Sequence, residues 1–129
     1  MIKRDKYDRV TSDLVRALRG YTCEKCGLVG KKGADGPQMH AAHIVGRRNA
    51  GTRYDLDNIL CLCAYHHSYF TERPVEFTDW LREYMGEEKV DAIKLKGWQV
   101  HKWKAKEKEA LYQDYRKRLK AIETNGSKL

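Results

Sequence analysis

No apolar run in this 129-residue chain approaches the roughly 20 residues needed to cross a bilayer, so no transmembrane helix is expected. No export signal opens it either. Met1-Ile2-Lys3-Arg4-Asp5-Lys6 is charged from the outset, and a cytoplasmic location is expected. Internal repeats, low-complexity tracts and long linkers are all lacking, which leaves one domain over residues 1–129. Hydrophobic residues are few, at 41% against 34% charged, which describes a small, heavily solvated domain that needs a staple. Cysteine is limited to four residues. In a reducing compartment these favour metal binding over two disulfides.

Charge is present in excess, and it is segregated. Lys and Arg total 26 against 18 Asp and Glu, a net charge of +8. Such a balance points to a polyanionic partner, with nucleic acid the default. Residues 76–91 are acidic, whereas residues 101–120 hold eight bases against three acids. The stretch 46–53 carries Arg47, Arg48 and Arg53 and no acid, as a phosphate-facing surface requires.

The periodicity predicts an α+β domain that is mainly helical. Val10, Leu14, Val15 and Leu18 give a helix over 8–19, stopped by Gly20. Short strands are expected over 38–45 and 59–62, and a helix from about Ala64 towards Phe70. The turn-rich loop 30–37 should have a mobile tip. A helix over 74–85 begins with proline and ends at Gly86, its stripe of Phe77, Trp80, Leu81 and Tyr84 serving the core. A second short helix covers 87–96 with Gly97 as its stop, and a long basic helix runs from Trp98 to about Ile122. The last residues, 125–129, should fray.

Cys23-Glu24-Lys25-Cys26 is one half of a metal knuckle, and Cys63-Ala64-Tyr65-His66 repeats its spacing. Two residues between ligands let a tight turn aim both at one ion, and three thiolates with one imidazole suit tetrahedral zinc. Cys61 competes with Cys63, and His67 with His66. Spacing favours Cys63 with His66; adjacent helical residues point about 100° apart, so His67 faces elsewhere and Cys61 packs as a small apolar residue.

His43, Asn58 and His67 follow one another through this frame, on a strand, after an irregular loop and in the first turn of a helix. Phosphodiester hydrolysis needs a base for water, a divalent cation on the phosphate and charge relief for the leaving oxygen. A strand histidine can be the base. The Asn58 oxygen and a His67 nitrogen can hold a small cation, Mg²⁺ or Mn²⁺, while Arg47, Arg48 and Arg53 steady flanking DNA phosphates.

The arrangement resembles the HNH endonucleases, whose ββα-metal motif uses His, Asn and His in this order, often framed by paired zinc-binding cysteines. Cys63-Ala64-Tyr65-His66-His67 looks like the end of that motif, with His66 in place of the final cysteine. The segments 14–23 and 71–77 are similar to phage-borne members, including the NinG type of recombination nuclease. The resemblance covers roughly residues 11–95. It implies a metal-dependent DNA endonuclease in a host cytoplasm, with a zinc-stapled hairpin-and-helix core over about 20–72 and a helical extension over about 74–122. His43 would be the general base, and Asn58 and His67 the catalytic cation ligands. Cys23, Cys26, Cys63 and His66 would hold structural zinc. Many members carry a ligand just before the base; here that position is Ala42, so Asp55, Asp57, His40 or water would compensate. One active site per small chain implies a monomer or weak homodimer that cuts one strand per engagement. The rival readings are a non-catalytic zinc module that binds DNA and a zinc domain that docks an acidic protein through the basic helix.

Overall fold

The computed structural model describes residues 2–31 and 37–127. Its elements run α1 (Lys6–Leu18), β1 (Met39–His43), β2 (Ile59–Cys63), α2 (Ala64–Glu72), α3 (Pro74–Met85), α4 (Glu87–Trp98) and α5 (Ala105–Ser127), with short 3₁₀ turns at Ala50–Thr52 and Leu56–Asn58. The architecture is α+β and mainly helical. No helix among the described residues is long and apolar enough to cross a membrane.

The two strands pair antiparallel from Met39 opposite Cys63 to His43 opposite Ile59. Every residue of β2 is buried, because α1 packs across the hairpin and α2 folds back on it. One core gathers Met39, Ala42, Leu60, Leu62, Phe70, Leu81 and Val90 around the hairpin. A second joins Val10 and Leu14 of α1 to Tyr115 of α5, flanked by Leu111, Leu119 and Ile122. The apolar stripes of α1 and α5 are therefore satisfied by each other.

Helix α1 starts two residues earlier than its apolar pattern suggests because Asp5 caps it. The Asp5 carboxylate accepts from the Asp8 amide at 2.8 Å, and the Asp8 carboxylate accepts from the Asp5 amide at 2.9 Å. Gly97 does not stop α4 but lies buried inside it, where an added Cβ would stand 2.8 Å from Val45 Cγ1. The side-chain-free position lets the helix press onto the chain just beyond β1. The long basic helix begins at Ala105, not Trp98. Residues 99–104 are pulled off the helical path as the Trp103 indole donates to the Ala50 carbonyl at 2.7 Å, and Glu107 reaches back to the Lys104 amide at 3.3 Å. At its other end α5 continues through Ser127, past the end expected near Ile122. The expected mobile tip at 32–36 and the last two residues lie outside the described residues.

Candidate metal centre and histidine cavity

The first knuckle follows α1 directly. Thr22 bridges Val29, the Cys23 amide donates to the Leu28 carbonyl at 2.9 Å, and Gly27 supplies the left-handed turn (φ 77°) that lets Cys26 double back. Glu24, between the two cysteines, ties the knuckle to the hairpin and α3. Its carboxylate accepts from the Cys61 amide and the Tyr84 hydroxyl, each at 2.7 Å. The second pair straddles the junction of β2 and α2. Cys63 is the N-cap of α2, its sulfur accepting from the His66 amide at 3.4 Å.

The ligand atoms of Cys23, Cys26, Cys63 and His66 all lie within 4.8 Å of one another, so the cluster could hold a metal ion such as zinc. The sulfurs of Cys26 and Cys63 are 3.9 Å apart, and Cys63 Sγ is 3.3 Å from His66 Nδ1. A tetrahedral ion with Zn–S bonds of ~2.3 Å spans about 3.8 Å between sulfurs, so the donor set fits in number, type and spacing. Burial opposes ionisation of Cys23, but the backbone amides of Cys63, Cys26 and Lys25 outweigh it and hold this thiol below its ordinary value. Burial keeps the His66 imidazole neutral, as a ligand must be. Cys61 behaves differently: it is fully buried outside the cluster, and burial with the nearby Glu24 carboxylate pushes its thiol up to about 11.

A cavity of about 370 Å³ opens beyond the hairpin, lined by Arg4, Asp8, Ser12, Ala41, His43, Gly46, Arg47 and His67. His43 and His67 thus share one cleft. His43 closes β1, half-buried, and burial followed by the Arg47 charge lowers its pKa to about 4. The imidazole is neutral at pH 7, with a lone pair available for a proton. Burial, then the neighbouring His40, also lowers the pKa of His67. Its ring meets that of His40 edge-on, with the two Nδ1 atoms 2.9 Å apart.

Asn58 does not join them. It is fully buried, its Oδ1 accepts from the Val45 amide at 2.8 Å, and its Nδ2 donates to the Val45 and Thr52 carbonyls at 2.9 and 3.1 Å. Only this amide orientation satisfies all three partners, and it leaves no oxygen aimed at the cleft. The expected cation ligand is instead a clasp that closes the loop between the strands and so sets where His43 and Arg47 stand. A substitution separates the two roles. Asp would serve a cation at least as well, but here it faces two carbonyls in a dry site. Asn58→Asp is expected to lower unfolding free energy by about 3–5 kcal/mol in urea titrations. Unchanged stability would refute the clasp.

The arginines also part company. Arg53 is not available to phosphate: its guanidinium grips Asp8 through two bonds of 3.0 and 2.7 Å and reaches the Lys3 carbonyl at 3.1 Å. Arg47 leans on Asp8 at 3.7 Å, and its Nη1 is buried with no hydrogen-bond partner among the described residues. Arg48 is exposed. Sequence patterns alone missed Arg4, Asp8 and Ser12 as cavity residues, since they read as a charged terminus and the polar face of α1. Of the alternative cation ligands, Asp55 caps a 3₁₀ turn and pairs with Lys96 at 2.6 Å, and Asp57 lies 3.9 Å from Lys89.

The depressed pKa of His43 has a consequence for stability. Between its unfolded value of 6.5 and about 4, the unfolded chain binds a proton that the folded chain refuses. Stability therefore falls as pH drops through this window, by on the order of 3 kcal/mol. Asp8 acts lower. Burial would raise its carboxyl, but Arg53 and Asp5 hold it below 3.8, so its loss begins only under that pH. Denaturation midpoints measured from pH 7 to 4 should show the slope in the wild type and a shallower one in His43→Gln.

No protein-family model, curated protein or solved structure matches this chain.

Proposed function

We propose that the chain is a metal-dependent DNA endonuclease built on a ββα-metal core, in which β1, β2 and α2 carry the chemistry and the Cys₃His cluster holds a structural zinc. The observation that carries this reading is the shared cleft: a neutral, half-buried His43 at a strand end, His67 lining the same cavity, and Arg47 beside them with a donor that lacks a hydrogen-bond acceptor. A phosphodiester seated there presents its anionic oxygens to Arg47 and Arg4. His43 takes the proton of the attacking water, and the oxygen so activated displaces the leaving oxygen in line across phosphorus. A divalent cation, when bound, supplies charge neutralisation at the phosphoryl and leaving oxygens. His67, rather than Asn58, is the expected ligand that would hold it. Asp8 takes no proton in this scheme; locked between Arg53 and the α1 cap, it holds the arginine loop against the cleft.

The basic composition supports a backbone-dominated, salt-sensitive grip on DNA. The test is supercoiled plasmid incubated with the zinc-loaded chain and Mg²⁺, Mn²⁺ or Co²⁺, or with chelator. Nicked circles are expected in at least one metal and none with chelator. Binding without nicking in every metal would leave a non-catalytic DNA-binding module.

A further inference from the structure

We infer that Trp98 is a stacking platform for an unpaired nucleobase, so that DNA with single-stranded stretches is preferred over uniform duplex. The inference rests on the DNA reading above, but it is measured as binding and needs no cleavage.

The chain holds three tryptophans, and two of them are occupied. Trp80 lies in the aromatic stack of α3, its ring centroid 4.9 Å from that of Tyr84 and 5.1 Å from that of Phe70. Trp103 donates to the Ala50 carbonyl and packs edge-on against Tyr54. Trp98 is 76% exposed at the end of α4, and among the described residues its indole has no ring or hydrogen-bond partner. Leu95, one turn back, and Val100, just beyond, are exposed with it. An indole is the largest apolar surface a side chain can bury, and here it is left in water.

The backbone beneath it is held. At Gly97 an added Cβ would stand 2.8 Å from Val45 Cγ1, and at Gly51 one would stand 2.7 Å from the Lys96 carbonyl oxygen. The end of α4 is thus seated on the chain to either side of Arg47 and Arg48, the loop that supplies the cleft's arginine.

Charge selects the occupant. Residues 92–106 hold Lys94, Lys96, Lys102, Lys104 and Lys106 and no acid. Among the described residues only Lys96 has a carboxylate partner, Asp55. Ammonium groups around an open indole suit a polyanion with flat apolar rings: phosphates meet the lysines while a base lies on the indole. In a duplex the face of each base is covered by its neighbours, so only an unpaired base can do this. A second copy of the chain fits poorly. It would set a lysine cluster of a +8 chain against itself, and three exposed side chains fall well short of the roughly 800 Å² per partner of a standard interface.

The experiment uses the full zinc-loaded chain with no other divalent metal, a short oligothymidylate and a duplex of equal length. Trp98→Ala should weaken oligothymidylate binding about tenfold or more and duplex binding less than about twofold, with zinc content and thermal unfolding retained. Trp98→Phe should recover most of the loss. Oligothymidylate should quench the fluorescence of the wild type, and Trp98→Ala should lack that quenching. Unchanged oligothymidylate affinity in Trp98→Ala, or equal losses on both DNAs, would overturn the platform while leaving plasmid nicking by the wild type to stand. So would self-association of the wild type that Trp98→Ala abolishes without altering DNA affinity, or Trp98 quenching by phosphatidylglycerol vesicles but not by oligothymidylate. Trp98-dependent single-strand binding in a chain that never nicks plasmid would uphold the platform and remove the hydrolase.

Discussion

Replacing His43 with alanine is expected to slow plasmid nicking by about 10²–10⁴-fold, the usual loss when a positioned base is removed. DNA affinity should hardly change. Affinity for a polyanion comes from many dispersed charges, and His43 is neutral at pH 7 because burial and Arg47 disfavour its protonated form. The same feature shapes the pH profile. An ordinary imidazole would lose its lone pair below about 6.5, whereas a base depressed to about 4 stays competent in mild acid. Single-turnover rates and filter-binding affinities on the same preparations separate the two effects. Full nicking activity in His43→Ala would remove the base assignment, and parallel loss of binding and nicking would make His43 a contact residue instead. His43→Gln guards against a cavity artefact, since it keeps most of the side-chain volume without a basic nitrogen.

The second large effect is expected at Cys63. Its sulfur is both one of the four clustered donor atoms that could hold a metal and the cap of α2, so a single substitution would strike a bound metal and the helix that carries His66 and His67. Metal binding in small zinc sites contributes about 10–16 kcal/mol, comparable with or larger than the 5–15 kcal/mol net stability of a typical domain. Cys63→Ser should therefore reduce zinc from about one per chain to near none and abolish cooperative unfolding. Cys61→Ser is the matched control. It should keep its zinc and lose only about 1–3 kcal/mol, because a hydroxyl replaces a thiol in a fully buried site. Metal analysis and thermal unfolding of both variants decide the matter. Zinc lost from Cys61→Ser and kept in Cys63→Ser would show that the ligand set is wrong.

The two elements most readily read from the sequence were α3 and the knuckles, and both owe this to local chemistry. Proline at the first position of α3 and Gly86 beyond its last turn bracket the helix whatever packs on it. The spacing Cys-x-x-Cys and Cys-x-x-His needs only a tight turn to aim two ligands together, so the four-residue cluster was legible down to the choice of His66 over His67. β1 and β2 were located to within two residues at either end, since their apolar runs are short and bounded by turns.

The site was less legible wherever a side chain had two credible partners. Asn58 in a loop between strands reads equally as ligand or as clasp, and the backbone of Val45, 13 residues earlier, decides for the clasp. Arg53 belongs to a basic stretch by composition, but Asp8, 45 residues away, claims its guanidinium. His40 carried no motif of its own, and only the return of α2 over β1 brings it to His67. The start of α5 shifted for the same kind of reason: the helical period continues through Trp103, but a single indole bond to Ala50 outweighs local propensity there.

Composition and spacing by themselves thus determined that this is a basic, mainly helical α+β chain with a strand histidine and a Cys₃His cluster that could hold a metal. The helices, the strands and each half of the cluster follow from residues close in sequence, where backbone geometry leaves few alternatives; the matching spacing of the two halves supplies the rest. Which polar side chains face the cleft, and which are consumed in holding it open, was decided only by the tertiary structure. A buried carboxamide or guanidinium goes to whichever partner leaves no hydrogen bond unmade, and that partner is named by the fold.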